Sequence, residues 1–387
     1  MEAQTGTILL FNKAYPPWPG GIERHVELLA EGLSARGWQV VVLCAGNQRF
    51  QYEERREGLH VRREANWGTL WSQPISPGLI RQIGRLQPDL VHIHTPFPFG
   101  NLALSIRRPR CRLVVTWHSD IVRQRVARPF LIPLENWLLR RADAVIATSP
   151  ALLEQSAYLP RYREKCHIIP LGIDPKSYFS MEPAVLEKAE RLRKSLPHPL
   201  AVFVGRLVGY KGLEVLLRAV KKTGNVSALI VGDGPLRGDL ERQTGRMGLT
   251  DRVRFAGHVA DKDLPAYLRA GDFFVLPSIS RNEAFGMCQL EAMAARLAVI
   301  STDLPGGVPW VNRHGRTGLV VPAGDADALA ESMEILARNP DLCRQWGMSG
   351  QARVLDLFTQ EKSVILHEEL YRNLLVDSTT VDFSNTL

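Results

Sequence analysis

The chain has 387 residues, too many for one ordinary domain and comfortable for two. Its 45% hydrophobic and 23% charged residues are those of a globular protein, which excludes a disordered or fibrous chain, and no apolar run approaches the roughly 18 residues of a membrane helix. The net charge of +8 is carried wholly by residues 1–178, which hold 23 Lys and Arg against 15 Asp and Glu.

The first apolar strand is predicted over 7–11. A loop rich in Pro and Gly follows (Tyr15-Pro-Pro-Trp-Pro-Gly-Gly21), then an amphipathic helix over 22–36, ended by Gly37, and a second strand over 39–44. Further strands are predicted at 59–62, 90–94, 112–118, 144–148 and 167–170, with helices over 75–86, 129–141 and 150–158. The proline-containing stretch 174–199 reads as a linker with a connecting helix. A second alternating unit then runs through strands at 200–204, 228–231, 252–255, 272–276, 298–301 and 318–321. Its helices are predicted over 212–222, 236–247, 263–269, 285–295 and 325–337. Two more follow over 341–358 and 361–375, and the last ten or so residues are polar and read as frayed. Apolar strands alternating with helices mean parallel sheets covered on both faces, with ligands bound beyond the carboxyl ends of the strands. The fold class is therefore α/β, with two Rossmann-like domains and a cleft between them. The expected division is 1–178, 179–360 and a final segment 361–387.

Five cysteines (Cys44, Cys111, Cys166, Cys288 and Cys343) are widely spread, with no Cys-x-x-Cys pair. They point to a reducing cytosol and away from a zinc site or disulfide framework. The N-terminus lacks the basic region, apolar core and small-residue cleavage site of a signal peptide.

The candidate chemistry gathers around residues 278–295. Glu283 is expected in the loop after a strand ended by Pro277, and Glu291 about two turns inside the following helix. Carboxylates accept paired hydroxyls, as sugars and riboses present them. The helix start at Phe285, Gly286 and Met287 offers unpaired backbone N–H groups to an anion. Arg206 and Lys211, both at the carboxyl end of the strand over 200–204, read as a clamp on a diphosphate that stabilises charge as it departs, or else as two surface cations. Gly232-Asp-Gly-Pro235 fails the dinucleotide fingerprint and reads as a tight turn, with Pro235 opening a helix. Gly20 and Gly21, at a helix N-terminus, read equally as a close approach to phosphate or as a flexible loop. Thr116-Trp-His118-Ser-Asp120 ends a strand; His118 is a candidate to face the cleft and Asp120 a candidate on the acceptor side. Pro96-Phe-Pro-Phe-Gly100 reads as a loop whose aromatics are core or acceptor contacts. The window 107–141 holds nine arginines (107, 108, 110, 112, 123, 125, 128, 140 and 141) against Asp120 and Glu135. Such a face suits an anionic membrane or a lipid phosphate; no nucleic-acid motif is present.

Taken together, Val204-Gly-Arg-Leu, Tyr-Lys-Gly212, Val231-Gly-Asp-Gly-Pro235, Glu283-Ala-Phe-Gly-x4-Glu291 and Gly318-Leu-Val-Val-Pro322 resemble the retaining glycosyltransferases of family four, with the GT-B fold. The resemblance runs from about Thr7 to Leu375. It implies a C-terminal domain for the nucleotide-sugar, an N-terminal domain for the acceptor, and a last helix that crosses back. It further implies that Arg206 and Lys211 hold the donor diphosphate. Glu283 and the amides of Phe285, Gly286 and Met287 would hold the sugar side, and Glu291 the ribose. Gly21 would contact phosphate and His118 would sit beside the anomeric carbon. No metal or other cofactor is implied. Tyr15–Glu23 and Trp117–Gln124 look like bacterial O-antigen mannosyl- and D-rhamnosyltransferases that use GDP-sugars.

The expected activity is retaining transfer of a hexosyl group from a GDP-sugar to a lipid-linked saccharide, in O-antigen or lipopolysaccharide synthesis. The protein would be cytoplasmic and peripheral at the anionic inner membrane surface. The rival readings are a UDP-sugar donor, a nucleotide-sugar epimerase or phosphorylase of the same fold, and a non-enzymatic nucleotide-sugar binder.

Overall fold

Short runs of Val, Leu and Ile without polar alternation become strands that are buried on both faces, as a parallel sheet requires. The computed structural model describes residues 6–18, 20–47, 50–70, 73–120, 128–179 and 182–376. It divides into two units, Met1–Leu171 with Gln360–Leu387, and Gly172–Thr359. The first unit thus ends seven residues before the expected boundary at 178, and the returning segment begins one residue before 361.

In the first unit the strands are β1 (Thr7–Phe11), β2 (Gln39–Ala45), β3 (Tyr52–Arg56) and β4 (Leu59–Glu64), with a small hairpin of β5 (Thr69–Leu70) and β6 (Gln73–Pro74). They continue with β7 (Leu90–Thr95), β8 (Arg112–Trp117), β9 (Ala144–Ala147) and β10 (Cys166–Ile168). The main sheet has the order β10-β9-β8-β7-β1-β2-β4-β3, parallel throughout except for β3, which runs antiparallel to β4 at the edge. Its helices are α1 (Gly21–Ser34), α2 (Pro77–Ile83), α3 (Pro98–Arg107), α4 (Arg128–Arg141) and α5 (Pro150–Gln155).

The second unit opens with α6 (Lys176–Phe179) and α7 (Pro183–Lys194). Its strands are β11 (Leu200–Val204), β12 (Ser227–Val231), β13 (Val253–Gly257), β14 (Phe273–Leu276), β15 (Ala298–Thr302) and β16 (Gly318–Val321). They form one parallel sheet in the order β13-β12-β11-β14-β15-β16. The helices are α8 (Leu213–Lys222), α9 (Arg237–Arg246), α10 (Leu264–Ala270), α11 (Met287–Ala294), α12 (Val308–Val311), α13 (Ala326–Arg338) and α14 (Pro340–Leu357). The last helix, α15 (Gln360–Val376), belongs to the first unit.

Several expectations are corrected. Residues 98–107 are helical: Pro98 stands at the first helical position, where its missing N–H costs nothing. The strand β3, the hairpin and α12 had no counterpart in the sequence reading. Helix α9 starts at Arg237, so Pro235 lies in the turn before it and does not open the helix. The helix predicted over 150–158 stops at Gln155, where Ser156 takes an extended conformation. The polar tail from 377 lies outside the described residues.

Helix α15 docks through polar groups as well as apolar ones. Tyr371 is fully buried, its ring edge-on to Trp38 at 6.4 Å. Glu368, itself buried, accepts the Trp38 Nε1–H at 3.1 Å and pairs with Arg36 and Arg372. Replacing Glu368 with Ala removes the acceptor of a buried indole N–H. The expected loss is about 1–3 kcal/mol of stability, read as a lower urea midpoint; an unchanged midpoint would show that this tie contributes nothing.

Candidate active site

In an open parallel sheet the crevice for ligands lies where the strand order reverses. In the second unit that point falls between β11 and β14, which pair in parallel through Ala201–Phe273 and Val202–Phe274. Their carboxyl ends are therefore neighbours, and the loops that leave them are laced together by Ile279 N–H donating to Tyr210 O at 2.8 Å. These two loops carry Arg206, Lys211 and Glu283, and the second leads into α11 with Glu291.

Lys211 and Glu283 meet. Nζ lies 2.5 Å from Glu283 Oε2, and both residues are only 7% exposed. Ser278 Oγ donates to the same carboxylate oxygen at 3.0 Å, and the Ser278 carbonyl in turn accepts from Thr302 Oγ1 at 2.7 Å. Burial, the largest single effect, would lower the Lys211 ammonium pKa, but the Glu283 carboxylate, Cys288 and Tyr210 together outweigh it and hold the pKa above its ordinary value. Lys211 thus stays charged. Arg206, by contrast, is exposed and forms no ion pair among the described residues.

The remaining groups share this neighbourhood. Burial raises the Tyr210 hydroxyl pKa, and Lys211, Glu283 and Arg206 all act on that hydroxyl. The Cys288 thiol is pushed up to about 12, first by burial, in a field set by Lys211, Glu283 and Glu291. Lys211 and Glu283 thus act on both groups, Arg206 on Tyr210 and Glu291 on Cys288.

Helix α11 starts at Met287, two residues later than predicted, which sets Glu291 little more than one turn inside it. Gly286 caps the helix at φ 76, a left-handed conformation that favours glycine. A Cβ there would also stand 2.8 Å from Leu276. The backbone N–H groups of Phe285, Gly286 and Met287 donate to no described residue, which leaves three donors at a helix start for an anion. The Phe285 ring itself is core, edge-on to Phe358 at 5.9 Å.

In the first unit the strand order reverses between β1 and β7. Gly20 precedes α1 and Gly21 is its first residue. The structure adds an occupant the sequence reading did not assign. The Glu23 carboxylate lies over Gly20, where a Cβ would be 2.0 Å from Oε2. Burial raises the pKa of Glu23 despite a hydrogen bond from its own backbone N–H. A phosphate at Gly20 and Gly21 must therefore contend with this acid.

Asp120, expected on the acceptor side, spends its carboxylate on three donors: Trp117 Nε1 at 2.8 Å, Ser156 Oγ at 2.7 Å and Ala157 N–H at 2.8 Å. It ties the end of β8 to the chain after α5. His118 follows β8 and is not a lone histidine. It packs in a buried cluster with His25 of α1, His92 and His94 of β7 and His367 of α15. His92 bonds to Tyr371 Oη at 2.6 Å and Thr116 Oγ1 at 2.7 Å, and His94 Nδ1 lies 3.1 Å from His118 Nε2. Among the described residues no set of three His, Cys, Asp or Glu is placed to hold a metal ion.

The arginine window divides. Arg107, Arg108, Arg110 and Arg140 are exposed, while Arg112 and Arg141 are both paired with Asp143 at 3.1 Å. Arg123, Arg125 and the side chain of Arg128 lie outside the described residues, as does 121–124 of the Trp117–Gln124 motif. Among the described residues no helix is long and apolar enough to cross a membrane.

Residues 19–177 match the family described as Glycosyltransferase Family 4, and residues 186–353 match Glycosyl transferases group 1. The D-rhamnosyltransferase WbpZ of Pseudomonas aeruginosa is 34% identical, over 91% of this chain and 92% of that protein. The chain belongs to glycosyltransferase family 4. The O-antigen chain mannosyltransferase C of Escherichia coli is a further relative, 29% identical over 95% of this chain and 98% of its own. Among solved structures, sucrose-phosphate synthase from Thermosynechococcus elongatus superposes with a TM-score of 0.80 at 26% identity, covering 96% of this chain and 99% of that one. The two parallel-sheet, Rossmann-like units are those of the GT-B glycosyltransferases, and the protein is a transferase enzyme.

The histidine cluster gives this glycosyltransferase an acid limit. Burial holds His118 down to about 3 and His367 to about 4, and holds His25, His92 and His94 well below their ordinary value of 6.5. The folded protein keeps these rings neutral, whereas the unfolded chain protonates them below pH 6.5. Stability is therefore full above that pH and is lost as the pH falls toward 4. Each proton refused by the fold costs about 1.4 kcal/mol per pH unit. Urea midpoints should be highest at pH 8, already lower at pH 6 and much lower at pH 5; a flat profile would contradict the buried neutral cluster.

Proposed function

We propose that the enzyme moves a hexosyl group, mannose or D-rhamnose, from a GDP-sugar to a hydroxyl of a lipid-linked glycan in O-antigen or lipopolysaccharide synthesis. The sugar keeps its anomeric configuration. The observation that carries the donor half of this reading is the gathering of Arg206, the Lys211–Glu283 pair, Glu291 and three free amides at one strand-order reversal. The names of the two relatives support the sugar and the glycan class.

In this reading Arg206 and the amides of Phe285, Gly286 and Met287 meet the diphosphate, and Lys211 neutralises charge from beneath. Glu283 and Glu291 accept the hydroxyls of sugar and ribose, Gly21 lies near phosphate, and His118 contacts the sugar being transferred. The acceptor hydroxyl attacks on the face the diphosphate leaves, and a departing phosphate oxygen takes its proton. Fixed cations and amide dipoles supply the charge stabilisation, so no metal is required.

Lys211 is a poor first target, because its removal strands a buried carboxylate at a cost of about 3–5 kcal/mol. Arg206 has no such partner. Arg206→Ala should keep the wild-type melting temperature and bind GDP about tenfold more weakly, as expected for loss of a charge-assisted contact. Glu291→Gln should weaken GDP binding in the same titration. Unchanged affinity in both variants would remove the donor site from the reading. A thermal-shift panel of GDP, UDP, ADP and their sugars should favour GDP; a larger shift with UDP would reassign the donor.

The basic face of the first unit suits an anionic inner membrane surface. Helix α3 exposes Leu102 (41%) and Ile106 (55%), one turn apart, ends in exposed Arg107 and is followed by exposed Arg108 and Arg110. Binding to vesicles rich in phosphatidylglycerol should fall steeply with salt and weaken in a Leu102→Ser, Ile106→Ser variant. Salt-independent binding, or none, would overturn it.

A further inference from the structure

His94 lies opposite Thr116 in the β7–β8 ladder, and the first residue after Trp117 ends β8 brings the His118 ring against it. The two rings are nearly parallel, 23° apart with centroids at 5.4 Å, and Nδ1 of His94 faces Nε2 of His118 at 3.1 Å. Burial keeps both rings neutral. Two neutral imidazoles that meet nitrogen to nitrogen share one proton: one donates and the other accepts.

The far nitrogens decide which. Nε2 of His94 is buried and has no hydrogen-bond partner among the described residues. If His118 were the donor, His94 would carry its own proton on that far nitrogen, an N–H stranded in the core, and such buried orphan donors are rare. If His94 donates from Nδ1, its far nitrogen is only a bare lone pair. His118 is then unprotonated at Nε2 and protonated at Nδ1. That Nδ1 is not one of the buried unpartnered nitrogens, and it bonds to no described residue.

We infer that His94 is a positioning residue: by donating to His118 it fixes the tautomer that leaves the His118 Nδ1–H as a hydrogen-bond donor for substrate oxygen. The inference rests on the reading that His118 contacts the transferred sugar. His25, His92 and His367 surround the pair with further neutral rings, and none of them bonds to His94 Nε2.

The test uses the full chain. Long-range proton–nitrogen NMR spectra of wild type, assigned with His118→Asn, should show the His118 proton on Nδ1; a proton on Nε2 overturns the inference whatever the activity. In His94→Leu the fixed tautomer should be lost. The rate of GDP release from GDP-mannose should fall about tenfold at saturating donor, with the donor KM within about twofold of wild type. His94→Asn, whose amide N–H can take the place of Nδ1–H, should restore most of the rate at the same melting temperature; failure of that rescue with a wild-type melt also overturns it. Wild-type turnover in His118→Ala would instead remove the underlying reading of His118, and the NMR result would stand apart from it.

Discussion

The second unit is organised by one buried ion pair. Two charges taken out of water cost several kcal/mol each, and they repay it only with close geometry and further hydrogen bonds. Lys211 and Glu283 meet those terms through their contact, Ser278 and the continuation to Thr302. The pair joins the loops that leave β11 and β14, the two strands between which the order reverses. It therefore fixes the mouth of the crevice before any ligand arrives. It also divides the labour of the cations: one is committed to the scaffold and lends its field, while Arg206 stands in solvent with its fork unspent.

The first unit uses neutral polar groups for the same end. Five imidazoles, Thr116 and Tyr371 fill the region beside the order reversal of β1 and β7, and Asp120 holds the chain beyond β8 with three hydrogen bonds. The paired rings hold this arrangement, since moving His92 would break its bonds to Tyr371 and Thr116. Glu23 over Gly20 departs from that economy: an acid with a raised pKa at a helix start is a group held where an anion would otherwise go.

The fold was largely legible in the chain because its strands are apolar on both faces. β11 and β16 stand where the sequence reading put them, since Leu200–Val204 and Gly318–Val321 are short runs with clear ends. Tyr52–Arg56 escaped because an edge strand of Tyr, Glu and Arg has no buried face and so no period. Helix α3 escaped because Pro96 and Pro98 read as breakers, although a proline at a helix start is compatible with it. The residue types of the candidate site were legible from motif order, but their partners were not. Nothing local in the chain says that Lys211 meets Glu283, or that His25 packs against both His118 and His367, far along the sequence.

The return of α15 has a consequence for how the protein is made. The second unit is one continuous stretch, Gly172–Thr359, and can close once that stretch has left the ribosome. The first unit is translated earlier yet lacks Val364, His367 and Tyr371, buried parts of its own interior. Its nascent form waits with an open seam through the synthesis of everything that follows, so the half that begins the chain is the last to be completed.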